Sequence, residues 1–178
     1  MDGIGNYKVI DNFFHPLLFE KIKNIIVFNS YFPLYINTEV VSEDSQEYSL
    51  KEHLWNFYYI HVLYKNDKPE SRYFEELSSM ILPEFYGKCG MKSLMRMKVN
   101  FYSHTETLRE HGKHQDATYS HKAAILSLNT CDGFTRMEDG TKIDSVENRL
   151  LIFDGIRFHN SSSTTNAKGR YNINFNFL

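Results

Sequence analysis

The sequence predicts a mainly β protein, an antiparallel sandwich or barrel with supporting helices ahead of it. Three observations lead there. From Met95 onward the chain breaks into short runs rich in β-branched and aromatic residues: MRMKVNFY, AAILSLNT, GFTRME, RLLIFDG and GRYNINFNFL. Asp-Gly recurs among them, at 132–133, 139–140 and 154–155, as turn punctuation at close intervals. No helical periodicity separates the runs, which argues against the crossovers that a parallel sheet requires.

The elements ahead of the barrel follow in order. YKVIDNFFHPLLFEKIKNII reads as a short strand, a turn and a helix. Pro16 falls in the first turn of that helix, where its missing N–H has no intrahelical partner to lose, and Leu18, Ile22, Ile25 and Ile26 share one face. YFPLYI and LWNFYYIHVLY are apolar, and the second is rich in strand-forming residues. The polar, acidic TEVVSEDSQEYSLKEH between them reads as a solvated loop, whose carboxylates from Glu43 to Glu47 would suit a basic target. A second helix is expected from Ser71 to Tyr86, with Phe74, Leu77, Ile81 and Phe85 at helical spacing and Pro83 bending its end. In the barrel half, GFTRMEDG reads as a hairpin-like turn and NRLLIFDG as a core strand followed by a turn.

Composition bounds the rest. With 178 residues, 42% of them hydrophobic and 15% aromatic, the chain is sized for one domain, 1–178, of which 1–94 supplies supporting strands and helices and 95–178 the barrel core. No apolar run is long enough to span a membrane. The opening MDGIGNYKVIDNFF lacks a secretory signal pattern. Cys89 and Cys131 sit in unrelated contexts without CxxC spacing, so neither a disulfide framework nor a structural zinc site is expected, and the cytoplasm is the expected setting. A net charge of −2 with scattered basic residues argues against nucleic acid as a partner.

The stretch EHGKHQD, Glu110 to Asp116, carries the chemistry. A histidine and a carboxylate at i and i+2 on extended chain point to the same side, so His114 and Asp116 can hold one ion if a third ligand arrives. The candidate is His159 in FDGIRFHNSSS, just past a strand and a turn that can fold back against the first. Two histidines and one carboxylate leave three coordination positions open, the facial triad of non-haem iron oxygenases. HTE, His104 to Glu106, is a rival for HQD but follows the preceding strand too closely. His104, His111 and His121 are read as exposed-loop or polar-face residues without a ligand role. The last strand adds Arg170, which alternation sets on one face with Asn172, Asn174 and Asn176, opposite Tyr171, Ile173, Phe175 and Phe177. A cation facing into a barrel needs a partner, because burying an unpaired charge is expensive. A dicarboxylate would provide it.

In the order NFY, HQD, GFTRMEDG, NRLLIFDGIRFHNSS and GRYNINFNF, residues 95–178 resemble the Fe(II)- and 2-oxoglutarate-dependent oxygenases, in particular the prolyl-4-hydroxylase-like branch. That resemblance implies a double-stranded β-helix, a cupin-like jelly-roll barrel with its metal at the open mouth. It implies that His114, Asp116 and His159 hold Fe(II) as the catalytic centre. Arg170 would clamp the distal carboxylate of the 2-oxoglutarate cosubstrate with its planar fork. Tyr102, twelve residues before His114, would support the same carboxylate. O2 is the second cosubstrate and ascorbate an accessory reductant.

The implied reaction couples oxidative decarboxylation of 2-oxoglutarate to hydroxylation of a C–H bond, with a peptidyl or free proline as substrate and so a peptide, protein or small molecule as partner. With Asp116 present no metal position is left for a halide, so hydroxylation is expected rather than halogenation. Two departures stand out: Asn172 occupies a position where the family often has serine, and Gly133-Phe134-Thr135 replaces a Gly-Gly-x-Thr turn. They leave open whether Asn172 or Tyr102 is the cosubstrate's second anchor. A cupin-like metal enzyme or binding module would share the HxD pair without needing Arg170, and a structural jelly roll would need none of these ligands. Lys168, in the turn before Arg170, is the competing cation.

Overall fold

A computed structural model of the chain describes residues 7–38 and 54–178. The acidic segment from Glu43 to Glu47 lies outside the described residues. In chain order the elements are β1 (Tyr7–Ile10), α1 (Pro16–Ile26), β2 (Tyr35–Asn37), β3 (Tyr58–Lys65), β4 (Lys68–Pro69), α2 (Phe74–Cys89), β5 (Leu94–Ser103), β6 (Lys122–Ser127), β7 (Phe134–Met137), β8 (Lys142–Asp144), β9 (Leu150–Asp154), β10 (His159–Ser161) and β11 (Gly169–Phe177). All strand pairings among the described residues are antiparallel. One large sheet runs in the order β1-β9-β6-β11-β5-β3-β2, with β4 paired to β3, and a smaller sheet runs β10-β7-β8. This is the jelly-roll, double-stranded β-helix architecture.

β11 is the hinge of the design because its alternation serves two environments. Ile173, Phe175 and Phe177 turn to the helix side and are buried to within 1% of full burial. There Phe85 of α2 meets Phe175 at 4.4 Å and Phe13 at 5.4 Å between ring centroids. α1 adds Phe19, Ile22 and Ile26, with Leu18 and Ile25 at the margin of the same core. Burying each large apolar side chain is worth roughly 1.5–3 kcal/mol, so this face carries much of the stability. The opposite face holds Arg170, Asn172, Asn174 and Asn176, and all four are buried. On β5 their direct neighbours are Tyr102, Asn100, Lys98 and Arg96 respectively. A polar row of this length inside a barrel must be satisfied by hydrogen bonds or by ligands.

Several sequence expectations shift. The second helix begins at Phe74 and not Ser71, because Ser71 turns its hydroxyl to the backbone N–H of Tyr73 at 3.1 Å, as a residue just outside a helix does. It also runs on through Pro83 to Cys89. The hydrogen bond that Pro83 cannot make is outweighed by the packing of Phe85, a fully buried residue of the following turn. Three short strands, β4, β8 and β10, escape the sequence reading because two or three residues carry no periodicity. β3 and β4 are joined by Asn66 and Asp67 at φ 54° and 58°, the left-handed pair that suits a two-residue hairpin. GFTRMEDG is the β7–β8 hairpin, as expected.

Candidate metal centre

The chain from Glu110 to His114 runs antiparallel to β10 without forming a continuous strand. Bridges pair Glu110 with Ser162 and His114 with His159. His114 N–H donates to the His159 carbonyl at 2.9 Å and His159 N–H to the His114 carbonyl at 3.0 Å. The two imidazoles are therefore direct cross-strand neighbours, with ring centroids 4.5 Å apart. Two residues on, the Asp116 N–H donates to the carbonyl of Gly155 at 3.2 Å, which ties the carboxylate to the turn that leads into β10. The possible ligand atoms of His114, Asp116 and His159 all lie within 4.8 Å of one another, and they form the one such cluster among the described residues. The rival pair His104 and Glu106 is exposed and lies outside it.

Hydrogen bonds fix how these groups face. His114 Nδ1 lies 3.3 Å from the carbonyl of Gly112 and His159 Nδ1 lies 3.1 Å from that of Arg157. A carbonyl only accepts, so Nδ1 carries the proton in both rings and Nε2 keeps its lone pair. The large sheet holds Asp116 from the other side. Arg96 lies 3.0 Å from Oδ1, while the side-chain amides of Asn176 and Asn174 donate to Oδ2 at 2.8 and 3.3 Å. Burial would raise the Asp116 pKa, but His159, Arg96, Lys98 and His114 together hold it below the usual carboxylate range. Burial, then the neighbouring His159, pushes His114 down to about 3. Two neutral imidazoles and an ionised carboxylate are the protonation states that a divalent N/O metal site requires.

Those shifts have a consequence for stability. Burial also pushes His111 down to about 4. Unfolded histidines take up a proton near 6.5, so between that pH and about 4 the unfolded chain binds more protons than the folded one. Stability that is present above pH 6.5 is therefore lost as pH falls. Taking the metal-free protein from pH 7 to pH 5 is expected to lower its melting temperature, with a limit of about 2 kcal/mol per histidine. Asp116 stays ionised at both values and adds nothing to the difference.

Arg170 and Tyr102 belong to the same cavity as the triad, together with Lys98, Asn100 and Thr135. Arg170 is 1% exposed. Its guanidinium donates to Thr135 Oγ1 at 2.8 Å and to the Ser162 carbonyl at 3.5 Å, and its Nε has no partner. No carboxylate among the described residues pairs with it. Tyr102 lies beneath, its ring centroid 5.6 Å from the guanidinium carbon, and is stacked on Tyr58 at 5.5 Å. A buried cation with neutral partners only suits an anionic ligand. Lys168 is exposed. Asn172, the other open candidate for an anchor, accepts at its Oδ1 from the amide of Asn100 at 2.9 Å. A larger surface cleft of about 860 Å³ lies along β3 and shares no lining residue with this cavity.

Sequence reasoning missed the part played by four groups. Thr135 showed only as part of an altered turn and Lys98 gave no signal, because each acquires its meaning only from the strand opposite. His111 and His121, expected as exposed-loop or polar-face residues, are buried, at 3% and 5% exposure. His111 packs beside Tyr102 at 5.2 Å between ring centroids, while His121 Nε2 accepts from the Asn176 amide at 2.9 Å, one step behind Asp116. Gly155 makes that relay possible, since a Cβ there would overlap the His121 ring. Gly155→Ala is expected to cost about 1–3 kcal/mol from overpacking. It should also weaken metal binding by roughly 10–100-fold through the displaced support of Asp116. Melting curves and metal titration measure the two effects separately. Gly133 has a related role beside Arg170, because a Cβ there would lie 2.8 Å from Arg170 Cδ.

No protein-family model matches the sequence, and no curated protein is similar to it. Solved structures do match. A prolyl-4-hydroxylase from Pseudomonas putida is 13% identical, with 97% of this chain and 92% of that one covered at a TM-score of 0.60. A 2OG-Fe(II) oxygenase family oxidoreductase from Burkholderia pseudomallei is 12% identical, covering 97% and 85% at 0.66. A prolyl hydroxylase from Trichoplax adhaerens, solved with a peptide fragment of the hypoxia inducible factor oxygen degradation domain, is 16% identical, covering 97% and 83% at 0.62. At such identities the likeness is one of fold, and the fold is that of the 2-oxoglutarate/Fe(II) oxygenases.

Proposed function

We propose that the chain is an Fe(II)- and 2-oxoglutarate-dependent oxygenase that couples oxidative decarboxylation of 2-oxoglutarate to hydroxylation of a C–H bond. The observation that carries this reading is the meeting, in one cavity, of the His114–Asp116–His159 cluster with a buried arginine that has no anionic partner. A metal-binding module needs only the first, and a structural jelly roll neither. The likeness in fold to prolyl hydroxylases supports the same class, and makes a peptidyl or free proline the leading substrate.

Each residue then has a task. His114 and His159 offer Nε2 and Asp116 a carboxylate oxygen to Fe(II), leaving three positions open for cosubstrates. Bound Fe(II) supplies the redox chemistry that joins dioxygen, 2-oxoglutarate and the substrate C–H bond. Arg170 receives the distal carboxylate, with Thr135 and Tyr102 fixing its guanidinium in place. Asn174, Asn176 and Arg96 orient Asp116. Lys98 lines the same cavity and has no hydrogen bond or ion pair among the described residues.

The test is thermal. With Ni(II) as a redox-silent occupant, 2-oxoglutarate is expected to raise the melting temperature further than Ni(II) alone, because a ligand that binds only the folded state stabilises it. Succinate should form with Fe(II) and a substrate. Stabilisation by Ni(II) without any added effect of 2-oxoglutarate would return the chain to the class of cupin-like metal proteins.

A further inference from the structure

Lys98 stands in the middle of the barrel's inward face, directly opposite Asn174, whose amide reaches Asp116. It lines the same cavity as the triad, and its Nζ stands over the Tyr58 ring, 5.6 Å from the centroid. An aromatic face attracts a cation without neutralising it. Four residues of extended chain, roughly 13 Å, separate Lys98 from Tyr102, the residue opposite Arg170. Lys98 therefore belongs to the metal end of the cavity and Arg170 to the far end.

Charge makes this lysine hard to explain by the cosubstrate alone. Three basic side chains, Lys98 and Arg170 lining this space and Arg96 paired with Asp116, stand against a single carboxylate there among the described residues. Burial, then the neighbouring Arg96, pushes the Lys98 pKa down, so an ammonium there calls for a counter-ion. A divalent metal and a dicarboxylate cancel each other. The loaded site would keep an excess of two positive charges, and enclosed charge of one sign is costly unless a counter-ion joins it. Arg96 already leans on Asp116; Lys98 does not.

On the oxygenase reading just given, we infer that Lys98 is a specificity-determining residue that binds a carboxylate of the primary substrate, beside the C–H bond to be oxidised. The substrate class is then an acid: a free amino acid, or a peptide presenting its C-terminal carboxylate, in preference to a residue inside a chain. A long, unpaired side chain can swing towards such a group, whose carboxylate favours the ammonium form. A neutral side chain of the same length would leave the cosubstrate's own anchor, Arg170, untouched.

The experiment uses the full chain loaded with Ni(II) and 2-oxoglutarate and reads binding by calorimetry. The probes are free L-proline and the other L-amino acids, N-acetyl-L-proline as the C-terminal form, and the carboxamide of each. Acids are expected to bind, and their carboxamides roughly tenfold or more weaker, the scale of losing a charge-assisted contact. Lys98→Met should weaken acid binding by a similar factor while 2-oxoglutarate affinity stays within about threefold, and Lys98→Arg should keep most of it. Free amino acids and N-acetyl-proline separate the two sources of carboxylate.

Carboxamides that bind as tightly as acids, or a panel in which no acid binds, overturn the inference while leaving the oxygenase reading standing. So does a Lys98→Met protein that loses 2-oxoglutarate affinity instead, since the lysine would then serve the cosubstrate. Should that variant not fold, the comparison of acid with amide in the unaltered protein still decides. A protein that takes Ni(II) but not 2-oxoglutarate sinks the oxygenase reading itself, and this inference with it.

Discussion

His159→Ala is expected to abolish stoichiometric metal binding, where the unaltered protein is expected to take up about one Fe(II), Mn(II) or Ni(II) per chain. The reason is geometric. Of the three clustered side chains His159 is the one that crosses from β10 to the HxD segment, and without its imidazole only His114 and Asp116 remain. A bidentate remnant on one side of an ion leaves more positions to water than to protein, so affinity collapses rather than declines. The fold should survive, because the His159–His114 pairing is made by backbone N–H and carbonyl groups that alanine retains. Elemental analysis after gel filtration, with circular dichroism as the control for folding, measures both. A folded His159→Ala protein that retains one ion per chain would remove His159 from the site.

Arg170→Ala is expected to spare the metal and to lower 2-oxoglutarate affinity by roughly tenfold to hundredfold. The lost contact is a charge-assisted fork shielded from water, worth about 1.5–3 kcal/mol or more, and each 1.4 kcal/mol is about a factor of ten. Lys168→Ala should change little, since Lys168 is exposed and Arg170 is buried. Arg170→Lys keeps the charge but loses the fork, and should fall between the two. Titration of 2-oxoglutarate into the Ni(II) forms at equal salt compares all three. Equal affinity in Arg170→Ala and the unaltered protein would sink the assignment of this cosubstrate.

How far the sequence reaches can be judged element by element. The period-two text of β11 told which side chains share a face, and the structure keeps that division, with Phe175 against the helices and Arg170 inside. HxD likewise put His114 and Asp116 on one side, because direction on extended chain is a local property. Helix α1 was legible for the same reason, from the spacing of its apolar residues and Pro16. The end of α2 was not: Pro83 is a local signal to stop, but the buried Phe85 that overrides it meets Phe13 and Phe175, which are distant in sequence.

The site shows the same division. Residue types, their order along the chain and the likeness to a known family named His114, Asp116, His159, Arg170 and Tyr102 before any contact was known. What they could not yield was the set of neighbours that gives those residues their state. Asn176 behind Asp116, Thr135 under Arg170, His121 behind Asn176 and Lys98 opposite Asn174 are all cross-strand or cross-sheet relations. Local sequence determined which face of a strand each side chain takes, because that depends on backbone geometry within a few residues. Only the tertiary structure decided what stands opposite, because register between strands tens of residues apart is set by the packing of the whole barrel.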